Sequence, residues 1–561
     1  MPRPFFRPTL SRAHLVWLLL GVILMGGQRT SVALAAQDAC QWSRDLRLVN
    51  GRIHTMDARN SIVDEVSIQS GRFVGVGRVD GQRLSPCTRT IDLGGRAVIP
   101  GLIDNHNHIV LLGMRPGHDV RLERSFSIAD VQSAIRSRAQ GVAAGRFITA
   151  MGGWGPGQFA EKRNPTLAEL DAAAAKHPVI LYQGFQGPAV TNTPGKAFFE
   201  GRGITVSESG VIASGASAIA ALNALRSIQT FDDKKRGTAE ALAYAAGLGL
   251  TTNVDQGFNI VPGTPDIGSS SVEDGLASLN PWTGYDAVQA LHREQKLATR
   301  VRLFIYTQDT AADTPLLKQR LLNHFANFGD DMLRVSGIGE QAVAWNAGAT
   351  PIAPNFEAAL KLIAAHGWAF HQHSLTLNEA RFIADAFEAV NRTTPISDLR
   401  WALDHARGID EATVNRLKAV GAGIAVHPGG RYLGGGGGPP FRMILRSGAR
   451  MGVGSDAAQV TALDPWAMIY YMVTGRNAGG EMVNEAERIT REEAVRLYTA
   501  ANGWFTREEN LLGSIEPGKL ADLAVLSADY FDPKQVPDEA IRTLRAVLTI
   551  VDGRVVHEAM R

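Results

Sequence analysis

Between about residues 97 and 455 the chain alternates short apolar runs with longer stretches of helical periodicity. That alternation predicts parallel strands joined by crossover helices. Eight runs read as strands: residues 97–104, 251–255, 301–306, 333–338, 368–371, 400–404, 423–426 and 451–454. Eight is the number that closes a (β/α)8 TIM-type barrel. Two further strand-like runs, 147–151 and 179–183, fall between the first and second, so roughly residues 115–235 are expected to form an insertion, a candidate cap over the site. The chain ends have another texture. Runs at 46–49, 66–69, 73–76 and 90–93, and again at 522–526, 545–551 and 554–557, are short and alternating and are separated by Gly and Asp. They predict a small composite β-sandwich built from both chain ends. The expected division is 40–98 and 506–561 for the sandwich and 99–505 for the barrel with its insertion.

The first 35 residues differ again. Arg3, Arg7 and Arg12 precede an apolar run over 15–27, and Ala33-Leu34-Ala35 offers small residues at the cleavage spacing. That order predicts a secretory signal peptide over 1–35, a mature start near Ala36, and a periplasmic or secreted protein with no stable membrane association once the signal is gone. The apolar run is short for a membrane span.

Composition adds limits. With 561 residues, 45% hydrophobic and 20% charged, the chain is an ordinary globular protein large enough for a catalytic unit plus an accessory one. The formal charge of +2, without a Lys/Arg run, points away from nucleic acid and leaves a small molecule as the expected partner. The two cysteines, Cys40 and Cys87, could pair in an oxidising compartment or stand as separate thiols. Gly434–Gly438 followed by two prolines lacks the Lys-Ser/Thr of a phosphate-binding loop and reads as a linker.

The chemistry sits at the strand ends. Pro100-Gly101-Leu102-Ile103-Asp104-Asn105-His106-Asn107-His108 delivers two histidines spaced by two to the carboxyl end of an apolar strand. Side chains at i and i+2 of a strand share a face, so both imidazoles can reach one metal ion. Four other strand ends carry suitable groups: Glu340 after Gly337-Ile338-Gly339, His371, His405 and Asp456. Barrel enzymes assemble their sites from the carboxyl ends of several strands, so these distant positions are expected to converge on a divalent metal, zinc foremost, as one or two ions.

Together with Gly249-Leu250-Thr251-Thr252, Asp404-His405, Gly454-Ser455-Asp456 and the C-terminal Gly513-Ser514-Ile515-Glu516-Pro517-Gly518-Lys519, these motifs resemble the amidohydrolase superfamily, and within it the YtcJ-like branch, the amidohydrolase 3 family. The resemblance spans nearly the whole chain after the leader. It implies that His106, His108 and Asp456 bind one ion and that His371 and His405 bind a second. It departs from the family in four places, one of them in the insertion, where the family's Asp-Gly-His looks replaced by Gln186-Gly187-Pro188. No Lys that could bridge two metals occurs in 333–345, where Glu340 is the nearest carboxylate. The fifth strand offers His371-Gln372-His373, leaving open which histidine binds. His427 stands where Gln is common.

The implied reaction is hydrolysis of an amide or other non-peptide C–N bond by a metal-bound hydroxide, with Asp456 as general base and acid. His373 and His427 are candidates for contacting the substrate and its oxyanion. The same site would permit hydrolysis of an ester, lactone or cyclic urea, and a non-catalytic exported binding protein is a further reading.

Overall fold

The computed structural model describes residues 40, 43–78, 84–258, 275–280, 283–345, 350, 353–457 and 459–560. The leader expected over 1–35 lies outside the described residues. Neither Cys40 nor Cys87 is a free thiol. The chain from Arg44 to Arg561 packs as one unit.

Eight parallel strands form the barrel sheet in sequence order: Leu102–Asn107, Leu250–Asp255, Arg300–Ile305, Leu333–Ile338, Ala369–Ser374, Ala402–His405, Gly423–Val426 and Arg450–Val453. Buried side chains at nearly every position explain why these segments read as unbroken apolar runs. Helices such as Leu377–Asn391 return the chain to the next strand. This one starts in a capping box, in which the Thr376 side chain accepts from the Glu379 amide.

The first expected strand, 97–104, is two strands. Ala97–Pro100 pairs with Leu523–Leu526 and Arg52–His54, whereas Leu102–Asn107 pairs with Leu250–Asp255. Gly101 makes the break between them. A Cβ there would lie 2.1 Å from Thr251 Oγ1, so only glycine lets the chain cross so close to the second strand.

Ala97–Pro100 thereby joins a six-stranded sheet with residues from both chain ends, opposite a four-stranded sheet over Leu46–Val49, Val66–Gln69, Arg72–Val76 and Arg89–Asp92. Leu48, Val66, Phe73, Val98, Leu523, Val525 and Leu548 share one buried core between them. The fully buried Arg300 guanidinium ties strand three of the barrel to this region, donating to both Asp522 oxygens at 2.8 Å. The insertion has its own five-stranded sheet, running from His118–Asp119 through Ile148–Met151 and Val179–Tyr182 to Ala189–Thr191 and Val211–Ile212.

Among the described residues no ladder joins the first and eighth barrel strands. Backbone bonds beyond the strand ends, from Asp456 N to His106 O and from His108 N to Ala457 O, close the seam together with a side chain. The buried Asn502 amide donates to Ile103 O at 2.5 Å and Val453 O at 2.8 Å, and accepts from Val453 N at 3.1 Å. Gly452 is required beside it, since a Cβ would meet Asn502 Oδ1 at 2.1 Å. Asn502→Ala would leave two carbonyls and one amide buried and unpaired, so we expect a loss of about 3 kcal/mol of stability. Denaturant unfolding checks this; a loss too small to resolve would remove the seam role.

Candidate metal centre

His106 and His108 stand at and just beyond the end of the first strand, on the same face. The Nδ1 of His106 lies 2.9 Å from Asp404 Oδ2, and that of His108 lies 2.8 Å from Gly257 O. Both partners are acceptors, so each Nδ1 carries the proton and each Nε2 presents a lone pair. Those lone pairs face carboxylates at non-bonding distances. His106 Nε2 is 3.6 Å from Glu340 Oε2 and 3.7 Å from Asp456 Oδ1. His108 Nε2 is 3.7 Å from Glu340 Oε1 and 3.6 Å from Asp456 Oδ1. His106 Nε2 is buried without a hydrogen-bond partner.

These separations are too long for hydrogen bonds and suit the edges of a coordination shell. Two ligands held about 2.1 Å from one ion at a tetrahedral angle are roughly 3.4 Å apart. The electrostatics agree. Burial alone would lower the His106 imidazole, but Asp404 foremost, with Glu340 and Asp456, pushes it up to about 10. The surrounding carboxylates thus favour a cation at this spot, either a proton on His106 Nε2 or a metal ion in its place.

A second group adjoins the first through Glu340. Its Oε2 lies 2.6 Å from His373 Nδ1 and 2.9 Å from His405 Nε2. Burial works to raise the Glu340 carboxyl, yet the neighbouring histidines, His373 first, hold it down at about 2. Burial, with other histidines close by, keeps His405 well below its ordinary value, so it stays a neutral donor. His106 with His108 and Asp456, and Glu340 with His373 and His405, are two sets of groups close enough to hold an ion.

Two of these residues take left-handed backbone, His405 at φ +68° and Asp456 at φ +58°. Such conformations cost on the order of 1 kcal/mol each in non-glycine residues and persist where surrounding contacts fix them. For Asp456 one such contact is its amide, which donates to His106 O at 2.8 Å.

The structure shows what surrounds His371, His373 and His427. The fifth strand runs to Ser374, three residues beyond its expected end, so His371 sits within the strand and His373 near its mouth. His371 is fully buried, with Nδ1 2.9 Å from Gln256 Nε2 and 3.2 Å from Asp404 Oδ1 and its ring against Phe304. It is His373 that joins His405 and Glu340. His427, expected at the substrate, is also fully buried. Its Nδ1 lies 3.1 Å from His405 Nδ1 and 3.7 Å from Asp456 Oδ2, and with His106 and His405 it forms a further group close enough to hold an ion.

Asp404 is a further candidate that the strand-end pattern alone does not assign, although a carboxylate directly before a strand-end histidine is a usable signal. It receives His106 on one oxygen and faces His371 with the other. Despite complete burial, those two histidines hold its carboxyl far below the ordinary range. In Asp404→Asn one of the two positions becomes an NH2 donor. Turned toward His106, it would force the proton onto Nε2 and block the ligand. We expect metal affinity to fall about 10- to 100-fold, read by competition with a chelator; unchanged affinity in the folded variant would exclude the role.

Above these groups opens a cavity of about 400 Å³, with Phe185 from the insertion and Phe258, Tyr306 and Trp345 in its walls. The profile of the amidohydrolase family matches residues 89–557 of the chain. The chain belongs to that family. As an amidohydrolase it is 24% identical over 568 residues to the N-substituted formamide deformylase of Arthrobacter pascens, covering 92% of this chain and 98% of that one. An uncharacterized metal-dependent hydrolase of Pyrococcus horikoshii OT3 shares its fold, with a TM-score of 0.56 and 18% identity over 87% of this chain and 98% of that one. So does the atrazine chlorohydrolase TrzN of Arthrobacter aurescens TC1 in its complex with zinc, with a TM-score of 0.53 and 16% identity over 92% and 95%. The amidohydrolase fold thus accounts for the whole barrel and for strand-end groups gathered at one mouth.

Proposed function

We propose that this amidohydrolase cleaves an amide or similar non-peptide C–N bond of a small molecule with two zinc-like ions. The observation that carries the reading is the pair of Nε2 lone pairs on His106 and His108, each 3.6–3.7 Å from Glu340 and Asp456. His106, His108 and Asp456 would hold one ion, His373 and His405 the other, with Glu340 between them. Imidazole and carboxylate donors without a thiolate suit zinc. When bound, such ions polarise a scissile carbonyl and make water a strong nucleophile near neutral pH.

The remaining work falls to the chain. Asp456 sits between the histidines of the first group and His405, with Oδ2 3.6 Å from His405 Nδ1. It is placed to take the proton of the attacking water and pass it to the leaving nitrogen. His427 backs His405 and fixes its ring. The aromatic walls exclude water and hold the carbon part of the substrate. The Arthrobacter pascens deformylase, similar end to end, supports an N-acyl substrate. The leader composition of residues 1–35 supports export to the periplasm or beyond, with a mature start near Ala36.

The test is metal analysis of the purified protein together with a screen of N-formyl and N-acyl amides against matched esters and lactones. Bound zinc and turnover of amides support the reading. Turnover of esters alone would move the reaction to C–O bonds, and no metal with no turnover would favour a binding protein.

A further inference from the structure

Arg407 lies two residues beyond the sixth strand and lines the cavity together with Glu340, His373, His405 and Asp456. Among the described residues its guanidinium has no hydrogen bond and no ion pair, and its Nε is buried without a partner. Its charged neighbours are Asp456, with which it makes no ion pair, and Arg431. Arg431 is itself engaged, its Nη1 donating to Gly435 O at 3.2 Å.

The guanidinium has a built seat. Gly429 opens the loop after the seventh strand at φ +52°, and a Cβ there would lie 2.4 Å from Arg407 Nη2, 3.1 Å from Cζ and 3.3 Å from Nε. The planar fork therefore rests on bare backbone along its Nη2 side, which fixes its direction at the cavity wall. A half-buried charge without a counter-ion is costly, and arginine cannot relieve the cost by losing its proton. Its five donors match a carboxylate in a bidentate pair.

We propose that Arg407 anchors a carboxylate carried by the substrate, so that the enzyme selects acidic N-acyl compounds over their neutral counterparts. This rests on the cavity being the hydrolytic site described above. Phe185, Phe258, Tyr306 and Trp345 then face the uncharged part of the molecule, and Arg407 sets which end enters toward Asp456.

The experiment compares N-formyl-, N-acetyl- and N-benzoylglycine with the corresponding glycinamides, as kcat/KM and as calorimetric affinity for the metal-loaded enzyme. Wild type, Arg407→Met and Arg407→Lys are compared. The wild type is expected to favour the acid of each pair by about 10- to 100-fold, the yield of a charge-assisted pair. In Arg407→Met that ratio falls to near one, chiefly through KM and affinity, and Arg407→Lys restores part of it. Equal affinity for acid and amide in the wild type overturns the anchor. So does a fall in kcat on both members with the ratio intact, which would assign Arg407 to the chemistry. Tighter, Arg407-dependent binding of the acids without C–N cleavage would keep the anchor and refute the reaction. Cleavage with no preference for the acids would do the reverse.

Discussion

His108→Ala is expected to abolish turnover and to strip the adjoining ion from a protein that still folds. Its Nε2 faces Glu340 and Asp456, and its Nδ1 is fixed by Gly257 O, so the side chain does nothing but present that one lone pair. With His106 and Asp456 it completes a set of three, and a tetrahedral site that loses one of three protein ligands rarely keeps its ion. The rate should fall on the order of 10³-fold or more, since the nucleophile is lost with the ion. His106→Ala should lose the same activity at a larger structural cost. It removes one of the two histidines that compensate the fully buried Asp404 carboxylate, and an orphaned buried charge costs about 3 kcal/mol or more. Metal analysis, thermal unfolding and turnover of the two variants together separate these effects. An active His108→Ala enzyme carrying its full complement of metal would remove this pair from the site.

The barrel was legible because its strands are buried on both faces and its histidines fall at their ends. Period-two alternation and apolar runs carry that information directly. What they do not carry is where one apolar run changes sheets. Residues 97–103 form one run with no polar side chain, and the break at Gly101 reflects a close approach of Thr251 from 150 residues downstream. Nor does a strand pattern report depth. His371 and His373 share a face, and only the extra length of the fifth strand puts the first against Gln256 and the second at the mouth. Asp404 is marked as a candidate by its place before His405, but its contact with a His106 ring from another strand is not signalled by any local spacing. Arg407 reads in the sequence as an ordinary loop cation, since its lack of a partner is a property of the assembled cavity.

Glu340 carries the other large expectation. It follows the fourth strand and is nearly buried, and its two oxygens divide between the groups: Oε1 stands 3.7 Å from His108, while Oε2 is 2.6 Å from His373, 2.9 Å from His405 and 3.6 Å from His106. Two unit charges roughly 4 Å apart repel by about 4 kcal/mol at an effective dielectric of 20, and the repulsion between divalent ions is larger still. An anion between the two groups offsets it, and the low position of the Glu340 carboxyl keeps that anion ionised across the neutral range. Glu340→Gln keeps the shape and removes the charge. Its new NH2 can only donate, so it cannot serve as a ligand on the side it faces. We expect the wild type to bind two ions of unequal affinity. The pair of lone pairs on His106 and His108 is already spaced for coordination, whereas His373 and His405 now stand at hydrogen-bonding distances from Glu340. Glu340→Gln should retain one ion, held by His106, His108 and Asp456, and lose about 100-fold or more in kcat, as removal of a single charge-stabilising group at an active site does. Metal-to-protein ratio and a titration of activity against added zinc read both outcomes. One ion per chain in wild type and variant alike, with equal rates, would make Glu340 an ordinary neighbour of His373 and the enzyme a single-metal hydrolase.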